Sequence, residues 1–216
     1  RIWDSFINDN HWTITSPQSP GQWVRATPVA TYQNNNIANP ANDVSDDCGT
    51  KCFVTGNDGL NDNVANGTIL NTPQLDLTPY SNPHIRFRYW LAFADDSLGN
   101  PGQDLFTVRI TNGSTGVIVM SISSAPVGMW HDTTFRVTDY LTPTNNIKLR
   151  FTVADVGVSN VVEAAIDAFE VFDMPLAVNE ISAGTNVNIV YGDNNIFVRY
   201  KNLATAYTCI VTDEIG

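Results

Sequence analysis

Hydrophobic residues in this chain alternate with polar ones over short runs, and clusters of Asn, Gly, Asp, Ser and Pro separate the runs. A two-residue period predicts half-buried strands, and the 3.6-residue period of an amphipathic helix is almost absent. Over residues 85–93, Ile85, Phe87, Tyr89, Leu91 and Phe93 fall on one face and Arg86, Arg88, Trp90 and Ala92 on the other. Residues 105–111 set Phe106, Val108 and Ile110 against Thr107, Arg109 and Thr111. Residues 117–123 place Ile118, Met120 and Ile122 on one face, and residues 147–153 set Ile147, Leu149, Phe151 and Val153 against Lys148, Arg150 and Thr152. Shorter strands are expected within 23–29, 52–55, 68–77 and 134–137. One core face and one wet face per run is what antiparallel sheets require. The expected fold is all-β, an antiparallel β-sandwich.

Residues 161–173, VVEAAIDAFEVFD, read as the last long strand but place acids inside an apolar run. Asp167 lies between Ile166 and Ala168, where a carboxylate is expensive unless paired or metal-bound. The expectation is a structural calcium site where this strand meets the N-terminal segment, which mixes Trp3, Phe6, Ile7 and Trp12 with Asp4 and Asp9. Pro175 then removes a ladder donor and biases Met174 to extended geometry, so the strand should stop there. The expected division is a sandwich over 1–175 and a short C-terminal β appendage over 176–216. The appendage has candidate strands at 187–191, 196–200 and 207–212 and a hairpin turn at 192–195. About 40 residues is small for an independent core. The appendage is therefore expected to lean on the sandwich or to be completed by further chain.

Composition narrows the partners. The 216 residues carry 11 Lys and Arg against 22 Asp and Glu, a formal charge of −11. That argues against nucleic acid, whose phosphates need a basic surface. No apolar run is long enough for a membrane-spanning helix. The chain opens at Arg1 in globular-looking sequence, which reads as a mature or excised fragment.

The succession CFVTGN, DNVANGTILNTPQLDL, FRYWLAF, DLFTVRI, LRFTVADVG and VVEAAIDAFEV resembles a jelly-roll, MAM-like module. Such modules are attached to secreted peptidases and other exported proteins of the Bacteroidota. The succession is also distantly similar to the cleaved adhesin domains of gingipains. The resemblance covers roughly residues 3–173, and the closing VEAAIDAFEV is its most specific part. The tail, VNIVYGDNNIFVRYKNLATAYTCIVTDEIG, resembles the start of a type IX secretion sorting domain. These resemblances imply a jelly-roll, non-catalytic accessory module, secreted or on the cell surface, that often carries Ca2+. The acids matching the pattern are Asp62, Asp104, Glu163 and Asp167. A glycan or a cell-surface protein is the implied partner, and the C-terminal region would engage export machinery. The chain departs from the pattern in CGTKC, which has an extra Cys, and in the Asn-rich stretch 35–39, so the ligand does not transfer with the fold.

Three sets of residues could carry chemistry. Oxygen-rich loops offer Asp43, Asp46 and Asp47, then Asp58 and Asp62, then Asp95, Asp96 and Asp104, then Asp155 beside the strand acids Glu163 and Asp167. Ca2+ takes six to eight oxygens, and irregular Asn, Asp and Gly loops supply them from side chain and backbone alike. From these, Asp43, Asp62, Asp104, Glu163 and Asp167 are taken as candidate ligands, with solvated loop acids as the plain alternative. On a regular strand Glu163 and Asp167 lie about 13 Å apart and cannot share one ion. Either a bulge intervenes or Glu163 pairs elsewhere, with Arg150 as the natural partner. The second set is cationic: Arg86, Arg88, Arg109, Arg136, Lys148 and Arg150 are six of the eleven basic residues, and most alternate outward with Trp90 among them. One reading makes Arg86, Arg88, Trp90, Arg109 and Arg150 a groove for a polyanionic glycan. The other makes them cross-strand partners of Thr and loop acids. Third, Cys48 and Cys52 are close enough to bridge a tight loop, which an exported context favours; Cys209 reads as a buried thiol. No HExxH or GxSxG pattern accompanies His11, His84 and His131, and a polysaccharide-cleaving enzyme stands as the third functional class behind a calcium-stabilised adhesive module and a carbohydrate-binding module.

Overall fold

A computed structural model describes residues 1–15, 21–33, 35–59, 64, 67–93, 104–123, 128–156 and 161–174, together with the backbone of 187–192 and 195–200. Its strands are β1 (Ile2–Asp4), β2 (Thr13–Thr15), β3 (Trp23–Ala26), β4 (Tyr32–Gln33), β5 (Asn36–Ile37), β6 (Cys52–Thr55), β7 (Thr68–Asn71) and β8 (Pro83–Phe93). They continue with β9 (Leu105–Thr111), β10 (Gly116–Ile122), β11 (Trp130–Arg136), β12 (Lys148–Ala154), β13 (Val162–Asp173), β14 (Val187–Gly192) and β15 (Asn195–Tyr200). The first sheet has the order β11-β8-β13-β6-β3, with β1 also paired to β13, and the second runs β10-β9-β12-β7-β2. Every pairing is antiparallel. This is the antiparallel β-sandwich that the alternation predicts, and the jelly roll that the resemblance implies. The described residues include one short 3-10 turn, Val137–Asp139, and no helix long and apolar enough to cross a membrane.

The core lies between the two sheets. Ile85, Phe87 and Leu91 of β8 and Val162, Ala164 and Ile166 of β13 face Phe106, Val108 and Ile110 of β9 and Leu149, Phe151 and Val153 of β12. The N-terminal segment closes one end. Trp12 is buried among Phe6, Phe53, Phe151 and Phe169, with edge-to-face contacts of 5.1 Å to Phe6 and 5.2 Å to Phe169. Its indole N–H donates to Asp4 Oδ2 over 2.8 Å, so the aromatic body is buried with its polar tip satisfied.

Two bulges reset the alternation. In β10 the register shifts between Ile118 and Met120. Val117, Val119, Met120 and Ile122 pack on the core while Ile118 is 55% exposed, which corrects the expectation that Ile118 shares a face with Met120 and Ile122. In β13, Asp167 opposes Arg88 but Glu170 opposes Arg86, so three steps on one strand match two on the other. The extra residue is Ala168, at φ 49, a left-handed conformation that a residue with a Cβ adopts at a cost of about 1–2 kcal/mol. Inward positions are even-numbered before it, at Val162, Ala164 and Ile166, and odd-numbered after it, at Phe169 and Val171.

The chain divides into two compact units, residues 1–174 and 175–216. In the second, β14 and β15 form an antiparallel hairpin, with Val187 opposite Tyr200 and Gly192 opposite Asn195. The third strand expected at 207–212 and Cys209 lie outside the described residues.

Candidate metal centre

The outer face of the first sheet is covered by its own loop. Outward-facing Cys52 and Val54 of β6, Trp90 of β8 and Ala165 of β13 form a second small apolar cluster, with Ile37 and Trp130 packed against it. Two tryptophans tie the covering segment down: Trp90 Nε1 donates to Ala38 O over 2.7 Å and Trp130 Nε1 to Asn42 O over 3.2 Å. Asn39 is buried beneath them and its amide donates to Thr55 O and Gly56 O, at 3.0 and 2.7 Å.

That segment delivers carboxylates onto β13. Oxygens of Asp43, Asp47 and Asp167 all lie within 4.8 Å of one another. Asp167 is 0% exposed. It accepts from Val44 N–H at 3.1 Å and, across the bulge, from Ala168 N–H at 2.7 Å. The bulge thus supplies a donor to the carboxylate it re-aims. Asp47 Oδ1 accepts from Gly49 N–H at 2.9 Å, while Asp47 Oδ2 and Asp43 Oδ2 are buried with no hydrogen-bond partner among the described residues. Burial first, then the neighbouring Asp47 and Asp43 charges, push the Asp167 carboxyl up to about 8, against the two backbone donors that pull it down. Asp43 is raised too, by burial and by Asp47. Three carboxylates in so small a volume repel, and Asp43 and Asp167 resist ionising there.

A cation removes that conflict. Oxygens bound to one Ca2+ sit about 2.4 Å from it, so any two are at most about 4.8 Å apart. The three aspartates meet that limit. Carboxylate oxygens are hard donors, which suit Ca2+ or Mg2+ over softer transition metals. Asp43, Asp47 and Asp167 would hold the ion.

The other expected ligands go elsewhere. Asp62 lies outside the described residues. Asp104 is buried and accepts from Val156 N–H at 3.0 Å. Glu163, also fully buried, accepts from Thr55 Oγ1 at 2.5 Å, so the suggested partner Arg150 is corrected. Arg150 stands on the second sheet. The N-terminal segment does meet β13, with Asp4 opposite Phe169. Its Asp4 carboxylate binds Trp12 and the Phe6 N–H instead, and the acids beside Asp167 come from the 43–47 loop.

The expected Arg and Trp groove is split between two faces. Trp90 is 5% exposed under the covering segment, which leaves no platform for a sugar ring. Arg88 bridges Asp46 and Asp132, the latter at 2.5 Å, and Arg86 pairs with Glu170, which Arg1 also reaches at 2.6 Å. Two of these pairs span neighbouring strands, Arg88–Asp132 from β8 to β11 and Arg86–Glu170 from β8 to β13. Arg109 and Arg150 lie on the outer face of the second sheet, exposed. The 48–52 bridge is also corrected: both thiols are free, Cys52 buried in the cluster with Trp90 and Cys48 exposed on the loop. Burial and the charges of Asp167, Asp43 and Asp47 push the Cys52 thiol well up, so it stays protonated. Asp47 belongs to the cluster but was not among the five chosen ligands. The signal for it was present in the sequence, since Asp43 and Asp47 share the one loop that carries three acids in five residues.

No family model and no curated protein matches the chain. Among solved structures it is similar to the K1 cleaved adhesin domain of Lys-gingipain from Porphyromonas gingivalis W83, 16% identical over 81% of this chain and 98% of that one, with a TM-score of 0.44. It is similar to the K3 domain of the same protein, 15% identical over 79% and 95%, with a TM-score of 0.46. It is also similar to TmCBM61, solved in complex with β-1,4-galactotriose, 12% identical over 79% and 99%, with a TM-score of 0.45.

Proposed function

We propose that this chain is a non-catalytic binding module of an exported protein, clamped by one Ca2+ held between Asp43, Asp47 and Asp167. The observation that carries the metal reading is the convergence of those carboxylates within 4.8 Å, with buried Oδ2 atoms on Asp43 and Asp47 that have no hydrogen-bond partner among the described residues. The ion ties the 38–47 segment to β13. Its role is structural, because the cluster is closed over by the segment that Trp90 and Trp130 anchor. A binding role fits the use made of two of the three histidines: His84 Nδ1 is engaged with Asn82 O at 2.8 Å, and His131 stacks on Tyr89 with ring centroids 5.3 Å apart. The C-terminal unit serves export in this reading, on the strength of its resemblance to a sorting domain.

Calcium added to chelator-treated protein is expected to raise the melting temperature, because an ion that binds only the native state stabilises it by mass action. Asp167→Asn should abolish that rise while leaving the protein folded, since Asn keeps the shape and removes the buried charge. An unchanged melting curve with and without calcium, in protein shown by mass spectrometry to be metal-free at the start, sinks the metal reading.

A further inference from the structure

The outer face of the second sheet holds a charge pattern that the sandwich itself does not explain. Arg150 of β12 and Arg109 of β9 are direct cross-strand partners. Directly opposite residues place their Cβ atoms about 5 Å apart, and like charges in that position repel. Both side chains are exposed, as is Lys148 on the same face of β12. None of the three makes an ion pair among the described residues. Strands β2, β7, β9, β10 and β12 contribute no Asp or Glu at all. The two guanidinium groups swing apart to neutral acceptors: Arg109 donates to Gly116 O at 2.9 Å and Arg150 to Asn71 Oδ1 at 3.4 Å. Gly116 makes room for this, since a Cβ there would lie 2.8 Å from the Arg109 guanidinium. Each arginine has five N–H donors, so most remain free to an anion placed between them.

We infer that the Arg109–Arg150 pair, with Lys148 beside it, is an anion-binding site for an acidic polysaccharide, engaging its carboxylate or sulfate groups. This rests on the binding-module reading and names its ligand class. The occupant follows from the surroundings. The next row of the sheet presents Thr107 and Thr152, opposite one another, whose hydroxyls suit sugar hydroxyls. No aromatic residue lies on the five strands' outer face, so the buried aromatic anchor typical of protein interfaces is missing. Three cations on a chain of net charge −11 are too few for a nucleic-acid duplex. A flexible chain with spaced anionic groups meets a narrow cationic strip without facing the rest of the acidic surface.

Affinity electrophoresis of the full chain through gels containing polygalacturonate, dextran sulfate, neutral dextran or polyglutamate tests this. Retardation is expected with polygalacturonate or dextran sulfate, weakening with added salt, and absent with neutral dextran; which polyanion retards more tells carboxylate from sulfate. The double variant Arg109→Gln, Arg150→Gln should bind at least tenfold more weakly. Its melting temperature should stay the same or rise, since the repulsion is gone, whereas a structural pair would lose stability on substitution. No retardation by either polysaccharide, or equal retardation of the double variant, overturns the proposal. Polyglutamate retarding as strongly as the polysaccharides overturns the ligand class and assigns the face to an acidic polypeptide. Calcium-dependent melting, measured in parallel, keeps the two readings apart: the double variant should retain it fully.

Discussion

At Asp167 the folded and unfolded chains hold a proton over different ranges. The unfolded chain releases it near the ordinary carboxylate value of about 4, whereas the metal-free fold keeps it up to about 8. Between those values the native state binds the extra proton, so metal-free stability should fall as pH rises, by up to about 1.4 kcal/mol per pH unit. Calcium should reverse this, because the ion needs the carboxylate ionised and its binding strengthens toward pH 8. Thermal melts at pH 5 and pH 8, each with chelator and with calcium, check both signs. A chelated protein more stable at pH 8 than at pH 5 would show that Asp167 is paired in some other way. The thiols give a second residue-scale expectation. Cys48 should react readily with a thiol reagent in the native protein, and Cys52 only on unfolding, because it is buried and held protonated. Asp167 was legible as a site from one signal, an acid in an apolar run. Asp43 was chosen with it, but that one loop supplies both partners, Asp43 and Asp47, was not legible, because they reach Asp167 from more than a hundred residues away, in an irregular segment with no period to phase.

Among the elements, the 38–47 segment is the one whose structure depends most on single bonds. It has no strand pairing of its own to the first sheet, and indole donors and buried amides hold it there. Trp90→Phe keeps the ring and removes the donor to Ala38 O. That should cost about 1–2 kcal/mol and raise the calcium concentration needed for the melting shift; an unaltered calcium titration would mean that the anchor does not position Asp43 and Asp47. Strand positions were legible wherever alternation was regular, as in β8, β9 and β12. Misreadings came at the bulge of β10, where inward residues switch from Val117 and Val119 to Met120 and Ile122. That switch of parity is itself a sequence signal for a bulge. Trp90 was misread for a different reason: its strand face is outward, but the covering segment is invisible to a periodicity argument.

For the molecule as a whole, charge is distributed by face. Three arginines of the first sheet pair with acids, Arg88 with Asp46 and Asp132, Arg86 with Glu170 and Arg136 with Asp139, while Arg25 donates to the Phe6 and Ile7 carbonyls. The second sheet leaves Arg109, Lys148 and Arg150 without an ionic partner among the described residues. The division into residues 1–174 and 175–216 has a testable side as well. Met174 closes the sandwich, through Met174 N–H to Asn82 O at 3.2 Å and Asn82 Nδ2 to Met174 O at 2.6 Å. A chain ending just after it is expected to melt within a degree or two of the full chain. A loss of several degrees would make the tail part of the sandwich core.

Ala168 behaves like a single letter inserted into a text read two letters at a time. Every residue after it would be thrown to the wrong side, except that the apolar residues change parity at the same point. Excising Ala168 therefore leaves Phe169 opposite Phe87 and keeps Glu170 opposite Arg86, so the ladder closes over the gap. Such a deletion also removes a left-handed residue and a donor to Asp167. In chelator the shortened chain should melt at or above the parent temperature, yet show no response to calcium. Metal affinity and sheet integrity would then be separable by one codon, and a lineage of such modules could gain or lose its ion without passing through an unfolded intermediate.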